Sequence, residues 1–173
     1  MKRTFFALIV VALALGIVPI AFAGGPTDKV TGSGTWVNTI GHTYYAEFNA
    51  HEPTDTKDAK GMLVQAYVSG GSDSMSGSYF MVAVDAVFVE DTHACFGGII
   101  TEAAGVFFDR GDVGKYRWTA VVDGGEGIGA MDYLRGNLGS SGSAPLWCLA
   151  GDVAGNEAFS GGNVQIHKYV SRR

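Results

Sequence analysis

Phe80-Met81-Val82-Ala83-Val84-Asp85-Ala86-Val87-Phe88 is the stretch whose reading decides the fold. Phe80, Val82, Val84, Ala86 and Phe88 take every second position, with Met81, Ala83, Asp85 and Val87 between them. A period of two places one set on each face of an extended strand, so this segment predicts the longest inward face of the chain. The pattern repeats on both sides. Tyr44, Ala46, Phe48 and Ala50 alternate with Tyr45, Glu47, Asn49 and His51. Met62, Val64, Ala66 and Val68 alternate with Leu63, Gln65 and Tyr67. Tyr116, Trp118, Ala120 and Val122 alternate with Lys115, Arg117, Thr119 and Val121, which puts Trp118 in the core. Val164 and Ile166 continue the pattern near the end, and Val30–Val37, His93–Thr101 and Ala130–Gly136 also read as strands.

Between these runs lie segments rich in Gly, Ser, Asp and Asn, and nothing holds a helical period over a dozen residues of the body. Parallel βαβ units need crossover helices, so the expectation is all-β: one antiparallel sandwich or barrel of about eight strands. Two connections look long, 51–59 and 137–162. The second exceeds what a compact domain usually leaves without structure, which predicts a short helix or a lid within it.

The first 23 residues read differently. Lys2 and Arg3 precede an uncharged run from Phe5 to Ile20, and Ala21-Phe22-Ala23 stands before Gly24 as a small-x-small cleavage site. Gly16 and Pro19 interrupt the apolar run, which favours a cleaved signal helix over a retained anchor. The expected organisation is a signal peptide, 1–23, followed by a single β-rich domain, 24–173, that is secreted, periplasmic or held at the cell surface. Membrane contact is expected only through an uncleaved leader.

Of 173 residues, 26 are glycine, and acids outnumber bases 17 to 12 for a net charge of -5. Without the leader, 10 basic residues face 17 acidic ones, a net of -7. That balance excludes a nucleic-acid partner, which calls for a basic face. The glycines are expected to mark turns between strands. Cys95 and Cys148 are the only cysteines, and in an exported chain they are most simply a disulfide.

The segment of greatest chemical interest is Asp123-Gly124-Gly125-Glu126-Gly127-Ile128-Gly129-Ala130-Met131-Asp132. Asp123, Glu126 and Asp132 on flexible backbone suit the oxygen ligands of Ca²⁺, although the spacing is not that of an EF-hand. The competing reading makes them turn residues, with carboxylates bonding nearby amides. Glu126 and Asp132 are also the pair a glycoside hydrolase would need across a cleft. Asp109 and Asp112 supply two more carboxylates, with Arg110 between them as an ion-pair partner. His42, His51, His93 and His167 form no H-E-x-x-H, and no G-x-S-x-G elbow is present. Trp36, Tyr45, Tyr67, Trp118 and Trp147 offer either core or a flat sugar-binding platform, with Trp147 expected to be the most exposed.

Two resemblances arise. Gly34-Thr35-Trp36-Val37-Asn38-Thr39-Ile40-Gly41 resembles the opening strand and turn of avidin-type barrels, over eight positions; the later tryptophan-bearing strands of that family do not line up. More broadly, Val82-Ala83-Val84, Ala94-Cys95-Phe96-Gly97-Gly98, Asp123 to Asp132, Cys148 and Gly162-Asn163-Val164-Gln165-Ile166-His167 are similar to a family of uncharacterised exported microbial proteins. That family shares an ordered set of D-G-G-E-x-G and terminal G-N-V-Q-V-H motifs across about half of this chain. Cys95 departs from its pattern. The resemblance implies a secreted β-rich domain and no particular activity. The resulting expectation is a non-enzymatic exported protein that works by binding, or as a surface or matrix component, with a polysaccharide or another exported protein as partner. The rival expectations are a hydrolase using Glu126 and Asp132, and a calcium-stabilised adhesion module.

Overall fold

The computed structural model describes residues 27–38, 40–53, 59–70, 75–125, 131–141, 143–152 and 157–168. The expected leader and Glu126 lie outside the described residues. Among the described residues nine strands follow one another: β1 Thr27–Val37, β2 Thr43–Pro53, β3 Lys60–Ser69, β4 Tyr79–Glu90, β5 His93–Ala104, β6 Tyr116–Val122, β7 Tyr133–Gly139, β8 Glu157–Ala158 and β9 Gly161–His167. One-turn helices α1 (Val106–Asp109) and α2 (Leu146–Leu149) interrupt them. All pairings are antiparallel, in the spatial order β8-β7-β6-β5-β4-β3-β2-β1-β9. From β1 to β7 each strand pairs with its sequence neighbour, so hairpins suffice as connections. The all-β expectation holds, as a single curled half-barrel sheet rather than two stacked ones. The long connection after β7 holds the expected short helix, α2; α1 was not expected.

The sheet curls because its two ends must meet. β8 and β9 stand at opposite ends of the strand order, yet only Phe159 and Ser160 separate them. Backbone N–H groups stitch this seam. The Phe159 N–H donates to the Asp132 carbonyl at 2.9 Å, and the Ser160 N–H to the Thr35 carbonyl at 2.7 Å. The Val164 N–H donates to Asp132 Oδ2 at 2.7 Å. A line across the sheet from Val30 passes Ala50, Gly61, Val84, Gly98 and Arg117 to Leu138. The seam brings Asp132, at the other end of β7, to Val164, a near neighbour of Val30 across the ladder. The strands are therefore staggered and tilted, as curling toward a barrel requires.

Residues directly opposite in antiparallel strands share a face, so register decides what is inside. Phe48, Leu63, Val82 and Ile100 form one buried row, and Ala46, Gln65 and Phe80 the next. On β3 the alternation resolves with Leu63, Gln65 and Tyr67 buried and Val68 exposed. On β4 the expected inward face holds only to Val84. Register shifts between Val84 and Ala86, and beyond that bulge Val87 and Val89 are buried while Phe88 is exposed. A bulge adds one residue to a strand and so exchanges its faces. The new inward row runs Val89, Ala94, Val121 and Leu134.

Trp118 is buried as expected, but on the opposite face. With Cys95, Tyr116, Ala120 and Cys148 it makes a second apolar cluster, packed by Ala86, Ala144 and Trp147 beneath the α2 segment. On β6 it is Arg117, Thr119 and Val121 that turn inward; the Arg117 guanidinium lies 4.6 Å from the Phe80 ring centroid and donates to Gln65 Oε1 at 3.1 Å. The glycine reading also needs correcting. Gly34 and Gly97 sit inside strands, where a Cβ would fall 2.5 Å from Phe159 Cδ1 and 2.6 Å from Trp118 Cε3. There glycine makes room for rings that pack directly on backbone.

Candidate functional site

The glycine-rich loop after β6 was the first candidate. Asp132 Oδ1 accepts the Gly124 N–H at 3.0 Å, Oδ2 accepts the Val164 N–H, and Asp123 Oδ1 accepts the Gly125 N–H at 2.8 Å. Two of the three proposed calcium ligands thus bond backbone amides, and the third, Glu126, lies outside the described residues. Asp132 joins the loop to β9, which is the architectural reading of this motif. Among the described residues no group of three or more His, Cys, Asp or Glu side chains is arranged to hold a metal.

Other carboxylates are engaged as well. Tyr45 donates to Glu47 Oε2 at 2.9 Å, Tyr79 to Glu102 and Tyr116 to Asp85. Burial first, then the hydrogen bond to Glu47, pushes the Tyr45 phenol up to about 12. The same two causes, in the same order, raise Tyr116 beside Asp85. These phenols stay protonated at neutral pH and remain donors. Asp112 is buried, which alone would raise its pKa, but Lys115 at 2.9 Å and Arg110 at 2.7 Å reverse the sign and hold it below the usual carboxylate range. Asp112 therefore pairs with both cations, the first of them the intervening Arg110 that the sequence suggested.

The histidines do not converge. His51 and His167 flank Lys29 on opposite sides of β1 in one cross-strand row. Burial, followed by the charges of Lys29 and Lys60, lowers the His51 pKa. His42 packs edge-on against Tyr67 at 5.8 Å.

Cys95 and Cys148 form a disulfide that ties α2 to β5. A disulfide fits an oxidising compartment. No helix among the described residues is long and apolar enough to cross a membrane. Trp147, expected to be exposed, is half-buried: Arg135 stacks over its ring at 4.7 Å and bonds the Asp152 carboxylate at 3.3 Å. Trp36 and Trp118 are core, so the tryptophans do not line up as a platform.

A cleft of about 420 Å³ opens beside this staple, between the tip of the β4–β5 hairpin and the ends of β1 and β2 that carry Asp28 and Glu52. Val87, Phe88, Val89 and Leu149 are among its apolar lining, and Asp28, Glu52, Glu90 and Lys168 among its charged lining. His93 positions this lining. The Leu149 carbonyl can only accept, so the His93 Nε2 that lies 2.9 Å from it carries the proton. Gly151 closes the same turn, with φ of 60° and space for no Cβ against the His93 ring, 2.7 Å away.

No protein family, curated protein or solved structure matches the chain. The site thus rests on its own geometry. Sequence reading missed this cleft because Asp28, Glu52, Glu90, His93 and Leu149 come from four strands and a helix. No local spacing links them. The nearest signal was the disulfide, which places residue 149 beside β5.

Proposed function

We propose that this protein is an exported, non-enzymatic β-rich component of the cell surface or its surroundings that acts by binding. One observation carries the reading: Asp132, the acid shared by the hydrolase and calcium alternatives, has both oxygens on backbone N–H groups of separate elements. An acid bound in this way serves as a strut, and moving it to meet a substrate or cation would break the seam. The disulfide and the leader-like first 23 residues support export. Its partner class is a polysaccharide or another exported protein.

The test is turnover. The purified protein is assayed on a panel of glycosides, esters and peptides, alongside Glu126→Gln and Asp132→Asn. No turnover is expected from any of the three. Activity in the parent protein that both substitutions abolish would replace this reading with the hydrolase.

A further inference from the structure

We infer that the outer face of β2, β3 and β4 binds an extended, β-1,4-linked polysaccharide lying across the strands. This rests on the binding role proposed above and chooses between its two partner classes. The first argument is register. Tyr45, Ala66 and Tyr79 stand opposite one another on successive strands. A second row runs beside them: Glu47, Val64, Met81 and, on β5, Glu102. Their chain neighbours Ala46, Leu63, Gln65, Phe80 and Val82 are buried, so both rows face outward. Two tyrosine–carboxylate pairs therefore bracket a floor of Ala66, Val64 and Met81.

The second argument is spacing. Neighbouring strands lie about 4.8 Å apart, so Tyr45 and Tyr79, two strands apart in one row, are separated by about 9–10 Å. Alternate rings of an extended β-1,4-linked chain recur at about that distance, and the ring between them then lies over the small Ala66. The third argument is chemistry. Tyr45 donates to Glu47 and Tyr79 to Glu102. Each bond orients its ring before a ligand arrives, which lowers the ordering cost of binding. Both tyrosines are only half-buried. A pyranose ring offers apolar C–H faces to such rings and hydroxyls at its rim. A carboxylate that accepts one phenol keeps further lone pairs for those hydroxyls. Tyr45 was among the aromatics that the sequence offered for a sugar platform, and Tyr79 supplies the second ring. A protein partner calls for a wider apolar centre than these three floor residues.

Depletion of the purified protein from solution by cellulose, by chitin and by starch granules tests this site. Cellulose, chitin or both should adsorb the protein saturably; starch, whose α-linked chains coil, should not. Tyr79→Ala should weaken adsorption about tenfold, the scale of one aromatic contact. Tyr79→Phe keeps the ring and should weaken it less. The Tyr45→Ala, Tyr79→Ala double variant should not adsorb, with its thermal midpoint measured alongside; if it unfolds, the single Tyr79→Ala variant decides. Absence of saturable adsorption to both cellulose and chitin overturns the proposal. So does adsorption that a folded alanine variant leaves unchanged, or that starch matches. A parent dimer that the alanine variants convert to monomer in sedimentation assigns this face to a second copy and also overturns it. Failed adsorption without turnover leaves the non-enzymatic reading standing, whereas turnover removes that reading whatever the adsorption shows.

Discussion

Asp112 is 3% exposed, yet it receives hydrogen bonds from both Lys115 and Arg110. Its pKa is lowered in the fold, so it stabilises the native state above the unfolded value of 3.8 and progressively ceases to as pH falls through the folded value. Asp112→Asn should cost about 1–2 kcal/mol at pH 7, because the partners are partly exposed and screened. Urea melts of parent and variant should converge on acidification below the carboxylate range; a gap that is constant with pH would show that the charge is irrelevant. Asp132 makes a different case. Asp132→Ala strands two backbone N–H groups and should cost about 2–3 kcal/mol, most of it at the partly buried Val164 amide. Asp132→Asn keeps one acceptor oxygen and should cost less. Chelator should leave the melting temperature of the parent unchanged. A midpoint that rises with added Ca²⁺ would instead return Asp123, Glu126 and Asp132 to the role of ligands.

At the scale of the element, the bulge in β4 has the largest consequence. Alternation alone puts Phe88 inside and Val87 outside; the register shift at Val84 and Ala86 exchanges them. Val87→Ala should therefore destabilise by about 2 kcal/mol, from lost apolar transfer plus a cavity. Phe88→Ala, although it removes the larger side chain, should cost less than about 1 kcal/mol by the same reckoning. Equal losses in denaturant titrations would contradict the assigned faces. The existence of the strands was legible in the sequence, and their inward faces were legible where only one face is covered, as in β2. On β4, β5 and β6 the α2 segment covers part of the outer face, so buried residues such as Cys95, Phe96 and Trp118 fall on both sides and the contrast disappears. Arg117 made β6 harder still. A cation turned inward is readable only once Gln65 and Phe80 are known to meet it. The turn acids of the glycine loop were legible as acids; that Asp132 reaches β9 was not, because Val164 lies 32 residues away.

For the molecule as a whole, the disulfide and the seam constrain the chain at different depths of the sequence. The seam gathers the two ends of the sheet through the short span from β8 to β9, so its closure follows from the strand order once β9 pairs with β1. The disulfide acts on a separate loop of 53 residues that contains all of β6 and β7. Closing a loop of that length restricts the unfolded chain by about 4 kcal/mol in the chain-entropy model. Its sulfurs also fill the cluster around Trp118, so substitution costs packing as well as entropy. The two contributions separate experimentally. Reducing the parent protein keeps both sulfur atoms and removes the link, whereas the Cys95→Ala, Cys148→Ala double variant removes the sulfurs too. Reduction should lower unfolding stability by up to about 4 kcal/mol in urea. The double variant should fall further, by about 1–2 kcal/mol for the emptied space. If the double variant is instead no less stable than the reduced parent, the sulfurs contribute no packing, and the cluster around Trp118 is held by its rings.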